Sequence, residues 1–393
     1  MIKRRAMTVF LILGLVSLTA DMTYEGARSV SGAFLVSLGA APVAAAIVGS
    51  GELVANLTRF AGGVMATASR SSRAFWATLI MGYIINLAAM PALAFVGRWD
   101  LAVALYMVER VGKGLRTPAR DTVLAEVTSG MGKGKGFGIH ELMDQAGAIA
   151  GPLMVSWMVL RGGYGPAFLS LAVPAGVSIT LVCLAAALYP RVRSISGSAA
   201  AGIGIGAAIR GLPRRFWLYA ISMSLLLAGY AQWAIVSFYM ASAALTAAEI
   251  ALIYSVAMAV DALVALPIGM AYDRYGLRSL LIAPPLVAAM PFLMLSGAAH
   301  AQYIVGALWG LVMGVYETSM RAAVADIVEP RSRAMAYGTF GVVTGLAWAA
   351  GGFVISSLMR DYAAFVSYAA AVEAASLVLL VRIRAQEGPT AHQ

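Results

Sequence analysis

Apolar runs long enough to cross a lipid bilayer follow one another from Thr8 to Val381, and the short segments between them carry most of the charge. A membrane-crossing helix needs about 20 such residues, because the hydrocarbon core offers no water to satisfy an unpaired backbone. The runs fall at about Thr8–Leu38, Pro42–Met65, Ala74–Val96, Leu101–Val127, Phe137–Leu160 and Pro166–Leu188. A second set falls at about Phe216–Ala241, Ala247–Met270, Ser279–Gly297, Tyr303–Val328, Ala336–Leu358 and Ala363–Val381. With 393 residues, 61% apolar and 12% charged, little chain is left for anything else. A water-soluble globule is excluded, since soluble domains carry roughly 25% charged residues. The expected fold class is an all-α membrane protein of twelve transmembrane helices in two pseudo-symmetric six-helix bundles.

Between the two sets lies Pro190–Arg215, rich in Gly, Ala and Ser and dotted with arginines. It reads as a cytoplasmic linker between an N-terminal bundle (1–189) and a C-terminal bundle (216–384), with a cytoplasmic tail at 385–393. Basic residues test this layout, because loops rich in Lys and Arg stay in the cytoplasm. With the N-terminus inside, most of the 28 Lys and Arg lie in cytoplasmic segments, among them Lys3, Arg4, Arg5, Arg73, Arg191, Arg274 and Arg382. The external loops hold only Arg98, Arg161 and Arg360. Both termini are therefore expected in the cytoplasm, and the location is the plasma membrane. The opening Met1-Ile-Lys-Arg-Arg5 reads as the start of the first span rather than as a secretory leader. The net charge of +10 is accounted for by these loops, so no nucleic-acid partner is expected.

Several chemistries drop out. The lone Cys183 cannot form an intrachain disulfide or a thiolate cluster. The loop Gly132-Lys133-Gly134-Lys135-Gly136 lacks the spacing and the Ser/Thr of a phosphate-binding loop. His140-Glu141-x-x-Asp144 offers only two ligands one turn apart, too few for a metal. No cofactor, no metal and no enzymatic constellation is expected, and any transport must run on a gradient. A monomer is expected, with the bilayer and a small-molecule substrate as its partners.

Sliding the chain so that Gly114 meets Gly314 also brings Ala125, Gly138, Ala150, Gly151 and Ser156 onto Ala325, Gly338, Ala350, Gly351 and Ser356. The same shift superposes spans and basic loops, as transporters built from two repeats do.

The loop after the eighth span reads Gly269-Met-Ala-Tyr-Asp273-Arg274-Tyr-Gly276-Leu-Arg278 and resembles the G-x-x-x-D-R-x-G-x-[RK] loop of the major facilitator superfamily. The fifth span carries Gly147-x-x-x-Gly151-Pro152, similar to the start of a motif in that superfamily's proton-coupled exporters, but no Gly pair follows. The first-half copy of the loop motif is degenerate. The run Glu109 to Asp121, with Asp21-x-x-Tyr24-Glu25-Gly-x-Arg28, resembles a prokaryotic branch without an assigned substrate. The resemblance implies alternating access driven by a gradient, and gives Gly269, Asp273, Arg274, Gly276 and Arg278 a role in switching conformation.

Charges inside spans are costly and face a cavity or a partner. Asp21, Glu25 and Arg28 lie at i, i+4 and i+7 on one face of the first span, and Glu52, Asn56 and Arg59 repeat that spacing on the second. On the fourth span Glu109, Lys113, Arg116 and Arg120 form a ladder on one face, with Arg110 and Asp121 turned away. Asp21, Glu25 and Glu52 are the proton-coupling candidates. Arg28, Asn56, Glu109, Lys113, Arg116, Tyr230, Trp233 and Glu317 are candidates for the substrate cavity. Arg59, Arg120, Asp121, His140, Asp144 and Arg321 are candidates for a cytoplasmic gate, with Gly147, Gly151 and Pro152 at the fifth-span motif. Permanent ion pairs are the competing reading for Glu25 with Arg28, Glu109 with Lys113 and Glu317 with Arg321. The expected function is H⁺-coupled antiport and efflux of a small organic solute. The alternatives are transport of organic anions, suggested by the ladder, and a lipid-translocating or signalling membrane protein.

Overall fold

The structure is a computed structural model that describes residues 2–68, 71–128, 133–192, 209–295, 298–329 and 332–385. Every regular element among the described residues is helical. In chain order they are α1 (Ile2–Ser29), α2 (Ser31–Ser37), α3 (Pro42–Gly49), α4 (Gly51–Ala68), α5 (Ser72–Ala92), α6 (Trp99–Val127), α7 (Lys133–Gly162), α8 (Tyr164–Ser170) and α9 (Ala172–Leu188). After the linker come α10 (Arg214–Gly229), α11 (Trp233–Ser242), α12 (Ala247–Tyr275), α13 (Ala283–Met294), α14 (Ala299–Val315), α15 (Arg321–Ile327), α16 (Arg333–Leu358) and α17 (Tyr362–Ala385). A five-residue π-helix, Tyr316–Met320, joins α14 to α15. Residues 193–208 of the linker and 386–393 of the tail lie outside the described residues.

Apart from short turns, the described part of each apolar run falls on helix, as hydrocarbon requires of a backbone that must satisfy itself. Among the described residues, seven helical stretches are long and apolar enough to cross a membrane: Ala6–Ser29, Ser72–Phe95, Tyr164–Leu188, Arg214–Ser242, Ala247–Met294, Met335–Leu358 and Tyr362–Ile383. This is fewer than the twelve runs expected. α6 is outside that set for a physical reason: Glu109, Arg110, Lys113, Arg116, Arg120 and Asp121 all lie within it.

The chain divides into two compact units. The first holds Met1–Ala40, Val54–Ala201 and Thr246–Ser255; the second holds Ala41–Leu53, Gly202–Leu245 and Val256–Gln393. Within the first, α1 packs on α7 and α9, and α5 on α6. Within the second, α10 packs on α16 and α17, and α13 on α14 and α17. Small residues set these approaches, since apolar lipid gives helices no hydrophobic reason to associate and close packing must hold them. Gly151 of α7 lies against the carbonyl of Met22 on α1, and Gly112 of α6 against the backbone of Asn86 on α5. In the second unit Gly351 of α16 lies against the carbonyl of Ala228 on α10.

Candidate functional site

The charged residues of the first unit converge in its interior. α1 presents Asp21, Tyr24 and Glu25, all buried. The Tyr24 hydroxyl donates to Asp21 Oδ1, and Lys113 Nζ lies 4.3 Å from the centre of the Tyr24 ring. Glu25 pairs with Arg28 at 2.9 Å and accepts a 2.5 Å hydrogen bond from the hydroxyl of Tyr254, in the part of α12 that belongs to this unit. The permanent-pair reading of Glu25 with Arg28 thus has the geometry it requires.

The α6 ladder is held from α1 and α5. Arg116 is 1% exposed; its guanidinium sits 4.4 Å from the Tyr83 ring centre and 5.7 Å from that of Tyr24. Its Nε donates to Asn86 Oδ1 at 3.2 Å, and its Nη1 has no hydrogen-bond partner. Asn86 Nδ2 donates to Glu109 Oε1 at 2.8 Å. Glu109 pairs at 3.0 Å with its chain neighbour Arg110, while Lys113 turns to the Tyr24 ring. Burying this many ionic groups is tolerated because partners and ring faces replace water.

Arg120 joins two acidic side chains, Asp121 at 2.9 Å and Asp144 at 3.8 Å. Asp144 lies 3.5 Å from His140 Nδ1, whose Nε2 is 2.9 Å from Ser17 Oγ. The gate candidates of α6 and α7 therefore stand together with α1. On the same face of α7, a Cβ at Gly147 would collide with the carbonyl of Leu18, which lets α1 carry Asp21 against this helix. Gly151 and Pro152 are buried one turn on. Glu52, Asn56 and Arg59 are half-buried along α4.

The second unit is organised differently. Tyr230 and Trp233 are 0% and 2% exposed and sit in an aromatic cluster at a break between α10 and α11. The Tyr230 ring stacks between Trp309 (5.6 Å) and Trp348 (5.7 Å). The break frees backbone carbonyls, and side chains cap them: Trp348 Nε1 donates to Tyr230 O at 2.7 Å, Trp309 Nε1 to Ala231 O at 3.0 Å, and the Tyr368 hydroxyl to Ala228 O at 3.1 Å. Glu317 is half-buried in the π-helix, a distortion that recurs at functional sites. The Arg321 side chain lies outside the described residues, so its expected pair with Glu317 does too. At the end of α12, Gly269 is half-buried and Asp273, Arg274 and Arg278 are exposed. Gly276 follows with φ +56°, a conformation that suits glycine and turns the chain out of the helix.

Sequence reasoning missed Asn86, Tyr83, Tyr254, Trp309 and Trp348. Asn86 left a signal, as an amide inside the apolar run Ala74–Val96; the aromatic residues left none that separates them from ordinary packing.

The family model described as Major Facilitator Superfamily matches residues 218–392, where the loop motif and the aromatic cluster lie. The chain belongs to the major facilitator superfamily. An uncharacterized protein of Mycobacterium tuberculosis (strain ATCC 25618 / H37Rv) is 38% identical over 387 residues, 97% of this chain and 93% of that protein. An uncharacterized MFS-type transporter of Methanocaldococcus jannaschii is 26% identical over 357 residues, 85% of this chain and 84% of that protein. The crystal structure of the nucleoside transporter NupG matches with a TM-score of 0.71 at 16% identity, covering 96% of this chain and 98% of that one, a likeness of fold. As a member of the superfamily the protein is a multi-pass membrane transporter that moves small molecules by alternating access.

Proposed function

We propose that the protein is a secondary active transporter that exports a small organic solute from the cell in exchange for protons. Twelve spans form two six-helix bundles, 1–189 and 216–384, in the plasma membrane, with both termini in the cytoplasm and a monomer as the working unit. One observation carries the reading: Asp21 is a buried carboxyl inside the membrane, bonded to Tyr24 and within electrostatic reach of Lys113. A carboxyl in that setting binds or releases a proton as its cation and its water come and go during the cycle. Glu25 and Glu52 are the further candidates, and Asp273 with its loop sets the balance between conformations. Arg120 with Asp121, Asp144 and His140 serves as the cytoplasmic gate.

A second reading, transport of organic anions, is favoured by Arg116, whose guanidinium is buried with Nη1 unpartnered. Guanidinium forks suit carboxylates and phosphates. Purified protein in liposomes with an imposed pH gradient, screened against organic cations, neutral amphiphiles and organic anions, tests both readings. Accumulation of the first two classes supports export of organic solutes, and anion flux the second reading. No saturable flux of any class under any gradient would leave the lipid-translocating or signalling alternative.

A further inference from the structure

Glu373 lies in the middle of α17, within an apolar stretch long enough to cross the membrane. It is 2% exposed, and neither carboxyl oxygen has a hydrogen-bond partner. Its Oε1 stands where a Cβ on Gly229 would be, so the carboxyl occupies the space that this glycine leaves open. Gly229 is the last residue of α10, and the helix breaks immediately after it. Val372 fills the other side of the same space.

Among the described residues, the helices packed on α17 supply no counter-charge near Glu373. Of the helices packed on α17, α13 contains no titratable side chain. α10 carries Arg214, Arg215 and Tyr219 in its first two turns, at the opposite end from Gly229. α16 carries Arg333 and Tyr337 in its first turns. Arg278 lies in the 3-10 segment Gly276–Ile282 and is exposed. On α17 itself, Tyr362, Arg382 and Arg384 lie toward the ends, and Tyr368 is spent on Ala228 O. An ionised carboxylate without a donor or a cation is too costly for such a place, and groups so placed neutralise instead.

We propose that Glu373 is a proton-binding site of the second unit, occupied in this conformation and seated against the break between α10 and α11. Discontinuous membrane helices are where transporters place coupling ions, and rearrangement of the break would expose the carboxyl and release its proton. Use of that proton in transport rests on the reading above; its presence on Glu373 does not.

The test therefore needs no substrate. Infrared spectra of the full-length protein in phospholipid vesicles at neutral pH, in Na⁺ and in K⁺ salts, are compared for wild type, Asp21→Asn, Glu373→Gln and Glu373→Met. The expected result is a protonated-carboxyl carbonyl component that wild type and Asp21→Asn share and that both Glu373 variants lack, with no dependence on the salt. Melting temperatures should be unchanged in Glu373→Gln and raised in Glu373→Met, because Gln mimics the neutral acid and Met removes an unpartnered polar group. A band that is undiminished in Glu373→Gln relative to wild type shows that Glu373 is ionised and overturns the proposal. So does collapse of Glu373→Gln, which would mean that the fold needs the charge, and so does a band that Na⁺ abolishes, which would make sodium the ligand. Failure of transport with the band intact would count against the transport reading alone.

Discussion

Gly351 lies so close to Ala228 that a Cβ would collide with its carbonyl oxygen, and Gly151 stands in the same relation to Met22. Each pair joins α16 to α10 or α7 to α1 at backbone contact. The first prediction follows. Gly151→Ala and Gly351→Ala should each destabilise the protein, by about 1–3 kcal/mol for an overpacked contact that the backbone must relieve. Melting temperatures in detergent should fall for both. Gly138→Ala, which meets open space, is the control and should change little. Equal melting temperatures for all three would refute the close approach.

Asn86 is the hinge of the polar network, because it accepts from Arg116 and donates to Glu109 while fully buried. Asn86→Leu removes both bonds and leaves charged groups with less solvation. Hydrogen bonds to charged groups contribute about 1.5–3 kcal/mol each, so the loss should exceed that of either glycine variant. Thermal unfolding of Asn86→Leu beside Asn86→Gln checks this, since Gln keeps both functions on a longer arm. A Leu variant as stable as wild type would show that the network contributes nothing.

The two glycine pairs also show what the sequence made legible. The match of Gly151 with Gly351 under a single shift looks close to chance in a chain with 41 glycines. In the structure both residues do the same work, each lying against a backbone carbonyl of a neighbouring helix in its own unit. The ladder on α6 was legible from helical spacing, and so was the pair of Glu25 with Arg28. Partner choice within the ladder was not. Glu109 met its chain neighbour Arg110, and Lys113 turned to a ring, because the rotamers that decide between neighbours depend on packing across α1 and α5. Tyr230 and Trp233 read as cavity aromatics or, equally, as helix packing, and the structure packs them around a helix break. That break carries no proline, and Trp309, Trp348 and Tyr368 from distant segments cap the carbonyls it frees. Glu373 left a plain signal, a carboxylate within the last apolar run Ala363–Val381.

Asp21 provides the coupling prediction. Asp21→Asn fixes the side chain in a neutral form that cannot release a proton. Substrate accumulation driven by a pH gradient should disappear, while exchange of labelled for unlabelled substrate should survive, because exchange needs no net proton movement. Tyr24→Phe removes the donor to Asp21 and should weaken coupling without abolishing it. Normal gradient-driven accumulation in Asp21→Asn would remove it as the carrier, with Glu52 next to be tested.

The last prediction separates cargo from gate along α6. Arg116 is enclosed by Tyr24, Tyr83 and Asn86, whereas Arg120 faces Asp121 and Asp144. If the cargo is anionic, Arg116 and Lys113 contact it. Losing a charge-assisted bond costs about 1.5–3 kcal/mol, which is roughly ten- to a hundredfold in affinity at about 1.4 kcal/mol per decade. Lys113→Gln and Arg116→Gln should then weaken binding by that factor. Arg120→Gln should instead change transport rate with little effect on affinity, because its partners are acidic side chains of the protein. Adding Asp144→Asn should restore the rate, since the carboxylate left behind no longer needs a cation. Asn86 makes the Arg116 result interpretable: Arg116→Lys keeps the charge but cannot keep the bond to Asn86 and the ring contacts together, so it should recover affinity only in part. Unchanged affinity in both Lys113→Gln and Arg116→Gln would rule out an anion site on this helix and leave the ladder as a structural and gating element.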